Sequence, residues 1–419
     1  MGGVFGIADG RLPTRRYTGP VHEERAAHPD RPLSTLGVIG WAAYLACSWT
    51  WCIGMFLPIL LIRDFGAWGF LAFAAPNVVG AALMGFVLTS HQSREIAHRH
   101  HTAGQVFSAV TIAFQLVFLF TIATMFFGPE TARLYIFAAG GAAAAAIAIG
   151  LKERGAVLLW AASVIVLTLS WRQSGWALPN LRLDNPPPGL LWLAPVCMFG
   201  FALCPYLDLT FHHARRQSGD VSGRKVFALG FGVLFLVMIL GTVTYATRGL
   251  NLMNWPARAV VVPGAMLIGA HIAMQAQYTV LLHLPAVYKG RHASWFVAVM
   301  LLAVIAGIGA AYEPWEPTRW GMSVGEVTYR LFLAAYGLVF PAYVWLCMIP
   351  TRDGHSGTAG PAGRRKLTVL CAAVVLAAPC YWMGFVMKET WWLGVGLGVV
   401  LAARGAVRLS GSQKPARSP

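Results

Sequence analysis

Long apolar runs separated by short polar segments dominate the sequence. A helix needs about 20 mostly apolar residues to cross the roughly 30 Å of hydrocarbon in a membrane, and most of the runs are about that long. The runs are apolar on all sides and not on one face, so they indicate membrane-spanning helices. Twelve spans are predicted, near residues 36–62, 67–89, 104–127, 132–150, 155–171, 189–211, 226–246, 259–284, 293–312, 328–349, 366–387 and 391–407.

Two neighbouring spans can also be interpreted as one helix. The runs 132–150 and 155–171 are separated only by a short insert that contains Lys152, Glu153 and Arg154. Because charged residues are costly in hydrocarbon, the insert favours a turn between two spans. A single long helix is the alternative.

The composition supports an all-α polytopic membrane protein. Hydrophobic residues make up 57% of the 419 residues, charged residues make up 11%, and the mean hydropathy is +0.61. A soluble domain needs about a quarter of its residues charged, so this composition excludes a soluble protein. One transmembrane domain is predicted over residues 35–407, between a disordered cytoplasmic N-terminal tail (1–34) and a cytoplasmic C-terminal tail (408–419).

Positive charge predicts the orientation of the chain. With the N-terminus inside, 23 of the 32 Lys and Arg residues fall in inner segments and 9 in outer segments, as the positive-inside rule requires. Both termini are therefore predicted on the cytoplasmic side of the cell (inner) membrane. The net charge of +16 then reflects cytoplasmic loops that face anionic lipid head groups, and nucleic acid is not expected as a partner.

The sixth span contains the clearest candidate for chemistry. Pro205, next to Cys204, removes a backbone donor, and Asp208 is an acid well inside the predicted span. An ionisable group in hydrocarbon is costly and indicates a functional site unless it only satisfies a structural partner. The carboxylate is a candidate to bind a cation, a proton or a polar substrate. Alternatively, the span ends early and Asp208 pairs with Arg215 or His212 at the cytoplasmic boundary.

The first span offers a counterpart to this site. It is longer than a straight crossing requires, and Gly54 and Pro58, which follow Cys52, are expected to break it. A tilted or kinked continuous helix is the alternative, because proline is tolerated in membrane helices.

Breaks in spans one and six indicate two inverted five-helix repeats. The two spans lie five positions apart, so two five-helix repeats would have opposite orientations. The predicted repeats cover about residues 36–171 and 189–349, with two extra helices over 366–407. In transporters with inverted repeats, the substrate binds near the midplane between broken helices, where the helix ends direct their partial charges at the site.

Two sequence segments and the number of helices resemble a known transporter fold. The run Gly54–Pro58 in span one, the run Pro76–Gly85 in span two, and the count of ten plus two helices resemble the LeuT-type fold. That fold is shared by the amino acid–polyamine–organocation and sodium:solute symporter superfamilies. The resemblance implies a secondary transporter with a bundle of spans 1, 2, 6 and 7. It also implies that the residues beside the two breaks line the substrate site.

Span eight departs from the sodium-coupled members of that fold, in which hydroxyl side chains of this span help to bind the ion. Here few hydroxyls are present and Thr279 alone is near, which argues against sodium coupling. His271 and Gln275 share a helical face and are candidates for a proton relay or a polar substrate site. Interhelical hydrogen bonds that merely satisfy both groups are the alternative.

Histidines support a rival function. Eight of them fall on the predicted cytoplasmic side: His91, His98, His100, His101, His212, His213, His283 and His292. Neutral imidazoles suit iron or zinc, so a membrane-embedded metal-dependent enzyme is one alternative, although the tight HxxHH repeats of such enzymes are missing. A non-transporting membrane sensor or assembly subunit is the other alternative.

The sequence as a whole favours a secondary active transporter, and not an enzyme, that moves a small polar or organic solute by alternating access. Its expected partners are the solute, a coupling ion (H⁺ or Na⁺) and the lipid bilayer. No metal or cofactor is expected, since the chain has no GxxxxGK[ST], GxSxG or HExxH motif. The candidate site residues are Cys52, Gly54, Pro58, Cys204, Pro205, Asp208, His271 and Gln275.

Overall fold

The computed structural model describes residues 32–127, 152–176, 185–253, 264–288, 293–310, 318–350 and 360–411, together with the single positions 178, 179, 181 and 183. Within these ranges the regular secondary structure is helical. The predicted fourth span, and with it the choice between one helix and two over 132–171, lies outside the described residues, as do most of both predicted tails.

Fourteen α-helices lie in the described residues. They are α1 (Thr35–Trp49), α2 (Cys52–Val87), α3 (Ser90–Arg99), α4 (His101–Phe127), α5 (Lys152–Gln173), α6 (Leu190–Leu203), α7 (Leu209–Leu229), α8 (Leu236–Met253), α9 (Ala265–Tyr288), α10 (Ala293–Ala310), α11 (Val324–Ala334), α12 (Phe340–Tyr343), α13 (Gly360–Phe385) and α14 (Trp391–Gly411). A 3₁₀ turn (Cys204–Leu207) lies between α6 and α7, and π-helical turns at Gly230–Phe235, Ala335–Val339 and Val344–Met348 continue the neighbouring helices.

Every predicted span except the fourth has a helical counterpart in the described residues. Two long helices each pass through a glycine with positive φ, Gly66 in α2 (φ 61°) and Gly219 in α7 (φ 62°), where one span ends and the next begins. Only glycine adopts this conformation without steric cost. Eight helical stretches of the described residues are long and apolar enough to cross a membrane, so the chain is a multi-pass membrane protein.

The first span is interrupted, but not where the sequence predicted the break. Thr50 and Trp51 separate α1 from α2, whereas Gly54 and Pro58 both lie inside α2. The predicted position was wrong because a membrane helix tolerates proline when another group serves the carbonyl that proline leaves free.

The sixth span is interrupted at the predicted place. α6 ends just before Cys204, the 3₁₀ turn contains Pro205, and the backbone of Asp208 is extended (φ −76°, ψ 108°) before α7 begins. α7 then runs on to the turn at Gly219, so the sixth span reaches beyond its predicted end at residue 211.

Close packing holds the second span against the sixth. α2 packs against α6 and α8, and α4 packs against α9 and α10. A Cβ atom at Gly80 of α2 would lie 2.6 Å from the carbonyl oxygen of Phe201 and 2.8 Å from the Cα atom of Ala202. Both atoms belong to the backbone of α6, which cannot move aside as a side chain can. Gly80 therefore sets the distance between α2 and the last turn of α6.

Replacing Gly80 by alanine tests this contact. We expect Gly80→Ala to lower the free energy of unfolding by about 1–3 kcal/mol, because the added methyl group overlaps with backbone. Gly398→Ala is the matched control, since nothing lies within 4 Å of its Cβ position and alanine stabilises an open helical site by up to about 1 kcal/mol. Thermal unfolding in detergent measures both; a wild-type melting temperature for Gly80→Ala would contradict the packing.

Candidate substrate site at two helix breaks

The two breaks meet in a small pocket, which we call the central pocket. Its volume is about 10 Å³, roughly what one water molecule requires, so in this conformation it has no room for a larger solute. The lining combines aromatic rings, small residues and one amide: Trp49, Trp51, Ile53, Gly54, Asn77, Phe201, Cys204 and Tyr336. Residues from both breaks are therefore within reach of one small molecule.

Local hydrogen bonds favour the break in the first span. The hydroxyl groups of Ser48 and Thr50 donate to backbone carbonyls of the preceding turn, at 3.0 and 2.7 Å. Such bonds compete with the hydrogen bonds that continue a helix. Trp51 then has extended backbone (φ −87°, ψ 177°) and precedes α2 without a side-chain cap.

A neighbouring helix caps the start of α2 instead. The side-chain oxygen of Gln115, on α4, accepts a hydrogen bond from the backbone N–H of Cys52 at 3.3 Å. The first turn of a helix has unpaired N–H groups and a partial positive charge, so an acceptor there is stabilising. The Nε2 atom of Gln115 is buried without a hydrogen-bond partner. Gln115 therefore keeps an unused donor beside the first break.

Aromatic rings form one wall of the central pocket. The indole N–H of Trp49 donates to Oδ1 of Asn77 at 2.6 Å, which fixes both side chains. The ring centroids of Trp49 and Trp51 are 4.4 Å apart, and Trp51 lies 5.3 Å from Tyr336. The hydroxyl group of Tyr336 is 2.9 Å from that of Thr111. The wall is thus mostly apolar and its side chains are held in place.

Pro58 shapes the helix beyond the first break. Proline has no N–H group, so the carbonyl of Gly54 loses its donor within α2. The hydroxyl group of Thr242, on α8, donates to that carbonyl at 3.0 Å. The hydroxyl of Tyr245 donates to the carbonyl of Met55 at 2.7 Å. These bonds attach the first half of α2 to the seventh span.

Asp208 is fully buried at the second break. Its Oδ1 atom accepts hydrogen bonds from the N–H and the hydroxyl group of Thr210, at 2.8 and 2.6 Å, as an N-cap of α7. Its Oδ2 atom has no hydrogen-bond partner and lies 3.9 Å from Nε2 of His283 on α9. The ionisable neighbour of the Asp208 carboxyl group is therefore a histidine of span eight.

The boundary ion pair considered from the sequence is absent. The Nη2 atom of Arg215 binds Oδ1 of Asp220 at 2.8 Å, and Nδ1 of His212 lies 2.7 Å from the hydroxyl oxygen of Ser93. The alternative of a structural pair between Asp208 and one of these two residues was wrong, because Asp208 lies at the break and not at the end of the span.

His271 and Gln275 lie apart from the central pocket. Nε2 of Gln275 donates to the hydroxyl oxygen of Ser163 at 2.8 Å and faces the sulfur of Cys47 at 3.8 Å, behind α1. His271 is fully buried, and neither of its ring nitrogens has a hydrogen-bond partner. The structure therefore does not bring these two residues together with those at the breaks.

A larger cavity of about 470 Å³ lies next to the central pocket, and we call it the outer cavity. It extends towards the end of the bundle that carries Gly66, which the charge distribution predicts to face outside. Ile53, Phe201 and Tyr336 line both spaces and separate them. A path from the outer cavity to the central pocket would therefore pass these three side chains.

Four charged residues form an ion network beside the outer cavity. Arg63 donates two hydrogen bonds to Glu326, at 2.9 and 2.6 Å, and Arg330 binds both Asp64 and Glu326 at 2.8 Å. The side chains are between 5% and 19% exposed, so water screens these pairs less than pairs on an open surface. The network ties the first span to the tenth at the outer end.

The histidines do not share one site in the described part of the chain. Nδ1 of His100 lies 3.0 Å from the hydroxyl group of Tyr343, whereas His283 lies in the core beside the second break. Burial lowers the pKa of His100 to about 4, and the charges of Arg99 and Lys366 act in the same direction. Among the described residues, no three His, Cys, Asp or Glu side chains are grouped as metal ligands.

Several residues of the site were not assigned from the sequence. They are Trp49, Asn77, Gln115, His283 and Tyr336. Asn77 and Gln115 were visible as isolated polar residues in apolar runs, which is the one signal that could have marked them.

A solved structure shares this architecture. The inward-facing conformation of Mhp1, a transporter, matches over 90% of this chain and 91% of its own, with a TM-score of 0.51 and 14% sequence identity. The fold is of the LeuT type. The predicted all-α membrane class and the predicted resemblance are therefore confirmed. No protein-family model matches the sequence, and no curated protein matches it.

The bond from Thr242 into the first broken span of this LeuT-type fold can be tested by a double-mutant cycle. Thr242→Val leaves the carbonyl of Gly54 without a partner, so we expect it to lower the free energy of unfolding by about 1–3 kcal/mol. In a Pro58→Ala background, the restored N–H group can serve this carbonyl, and Thr242→Val should cost less than about 1 kcal/mol. Unfolding of the four proteins in detergent measures the coupling; strictly additive effects would exclude the proposed role of Thr242.

Proposed function

We propose that this protein is a secondary active transporter that binds a small organic solute in the central pocket and moves it by alternating access. The observation that carries the proposal is the meeting of two interrupted spans, one and six, at a single pocket. Backbone groups that leave a helix in hydrocarbon must find other partners, so irregular backbone at this depth is tolerated only inside protein or beside a cavity. Transporters use such paired breaks as binding sites.

The lining of the central pocket favours a solute with a planar or apolar body, and Gln115, which lies beside the first break but not in that lining, favours a solute with a hydrogen-bond acceptor. Trp49, Trp51 and Tyr336 present rings that can stack on planar groups. The free donor of Gln115 lacks an acceptor, and a carbonyl group of the solute would supply one at the first break. Leaving a buried donor unpaired is costly, so this contact would also contribute affinity.

The residues proposed from the sequence then have different roles. Gly54 and Cys204 line the central pocket, and Cys52 provides the N–H group that Gln115 caps. Pro58 lies in α2 beyond the first break, and Pro205 lies in the 3₁₀ turn that forms the second break.

Alternating access requires a closure on each side of the central pocket. The ion network is the proposed outer closure, because it ties the first span to the tenth beside the outer cavity. On the other side, α1 packs against α5 and α9, and residues 40–49 are all buried. Opening one closure while the other is kept would expose the pocket to one side only.

The scarcity of hydroxyl groups in span eight, where Thr279 alone is near, favours H⁺ over Na⁺ as the coupling ion. The hydroxyl group of Thr279 donates to the carbonyl of Gln275 at 3.0 Å and lies 3.5 Å from the carbonyl oxygen of Cys47. Nε2 of Gln275, which faces the sulfur of the same Cys47, is a donor and cannot coordinate a cation. Oε1 of Gln275 is buried without a hydrogen-bond partner.

The proposal places the chain in the cell (inner) membrane with both termini in the cytoplasm. The support is the division of Lys and Arg into 23 inner and 9 outer residues. A metal-dependent enzyme is less well supported, because His100, His212 and His283 have separate hydrogen-bond partners and no three His, Cys, Asp or Glu side chains of the described residues are grouped as metal ligands.

Solute counterflow in proteoliposomes tests the transport proposal. Liposomes that contain the purified protein and an unlabelled solute should accumulate the labelled solute for at least one member of a broad panel of small organic compounds. Asn77→Leu should lower the apparent affinity about tenfold, because it removes the bond that orients Trp49. Glu389→Gln changes an exposed acid that does not line the central pocket and serves as the control. Folded protein without counterflow of any compound would count decisively against transport.

Loss of the ion network should open the outer side. In a variant with Cys197 as its single cysteine, which lines the outer cavity, we expect Glu326→Gln to raise the rate of labelling by a membrane-impermeant maleimide about tenfold, because it leaves buried arginines without their partner. Glu95→Gln breaks an exposed ion pair with Arg99 and should leave the rate unchanged. Equal rates in all three proteins would show that the network is not a closure.

A further inference from the structure

Asp208 and His283 form a buried pair that the central pocket does not explain. Neither side chain has exposed surface, and Oδ2 of Asp208 lies 3.9 Å from Nε2 of His283. This distance is too long for a direct hydrogen bond, and neither atom has another hydrogen-bond partner. Two ionisable groups therefore face each other with one unused polar atom on each.

The remaining polar atoms of the pair are fixed by their neighbours. Oδ1 of Asp208 is occupied by Thr210, and Nδ1 of His283 lies 3.0 Å from the hydroxyl group of Ser108 on α4. The ring of Trp51 lies 5.9 Å from that of His283 and covers one side of the pair. Any exchange of a proton is thus confined to Oδ2 and Nε2.

The other ionisable groups that pack around the pair have partners of their own. The hydroxyl of Tyr336, from span ten, is bonded to Thr111, and the thiol of Cys204 donates to the carbonyl of Tyr336 at 3.3 Å. On α7, the ring nitrogens of His212 are bonded to Ser93 and to a backbone carbonyl. None of these groups brings a positive charge to the Asp208 carboxylate.

A count of charges shows how many protons the closed pair holds. With no proton, a carboxylate is buried without a counter-charge; with two, an imidazolium is buried in the same way, and both states are very costly. With one proton the pair is neutral, either as a carboxylic acid beside an imidazole or as an ion pair. We propose that Asp208 and His283 together bind one proton, and that this proton is the coupling ion of the transporter proposed above.

The position of the pair lets one proton control a movement. Asp208 begins α7, in the bundle that the LeuT-type fold implies, whereas His283 and its partner Ser108 belong to α9 and α4 outside that bundle. When these parts separate and water enters, the proton leaves Oδ2 or Nε2 for water, and the charge that remains is hydrated. For the loaded passage a proton binds from one open side and leaves on the other side. The empty protein then returns with water beside the deprotonated pair, so one proton crosses per cycle.

Infrared difference spectra of the purified full-length protein, recorded between about pH 5 and about pH 10, measure this proton without any solute. We expect a titrating carboxyl or imidazole signal that Asp208→Asn abolishes, and whose midpoint His283→Gln moves by at least about one pH unit, because coupled groups titrate together. Asparagine can keep the cap on Thr210, so Asp208→Asn is expected to fold. Glu389→Gln, at an exposed acid, should keep the signal.

Two results would overturn the proton site. The first is a wild-type titration that Asp208→Asn leaves intact. The second is a midpoint that moves to lower pH when sodium chloride replaces choline chloride, since Na⁺ would then compete for the pair. The counterflow assay separates this proposal from the transport proposal: counterflow without a titrating pair refutes the proton site alone, and a titrating pair without counterflow refutes transport alone.

Discussion

Each backbone N–H and C=O group that leaves a helix inside a membrane needs another partner, because hydrocarbon supplies none. This chain leaves the helical pattern twice at one place, and side chains from other spans satisfy part of the exposed backbone. Gln115 of α4 caps the start of α2, and Thr242 of α8 serves the carbonyl that Pro58 leaves free. Asp208 caps α7 within its own span. These hydrogen bonds connect the two broken spans to neighbouring helices, and the central pocket lies between the two breaks.

The same hydrogen bonds determine which polar atoms at the two breaks remain without a partner. Capping by Asp208 uses only one carboxylate oxygen and leaves the other facing His283, and the cap on α2 leaves the amide nitrogen of Gln115 unused. Unused polar atoms in a dry interior are costly unless a ligand or a proton completes them. The same arrangement that stabilises the breaks thus prepares a solute site at the first break and a proton site at the second.

Sequence patterns predicted the structural features that neighbouring residues determine. They missed the features that depend on contacts between residues far apart in the chain. The break at Pro205 was predicted because a proline and an acid interrupt one apolar run. The first break lies at Thr50 and was predicted too far along the chain, at Gly54 and Pro58. The N–H group at the start of α2 is capped by Gln115, and the carbonyl that Pro58 leaves free accepts a hydrogen bond from Thr242. Both partners lie on other helices, so neighbouring residues do not indicate them. His283 was assigned to the cytoplasmic side because nothing local connects it with Asp208; only the packing of α7 against α9 does.

The central claim is that the two breaks form a site that water reaches from either side of the membrane in turn. It is tested most directly at Cys204, which is buried at the second break and 2% exposed. In a variant with Cys204 as its single cysteine, a small membrane-impermeant thiol reagent is added to right-side-out and to inside-out vesicles. The account predicts slow modification of Cys204 from both sides. Modification from one side only, or from neither, would contradict it.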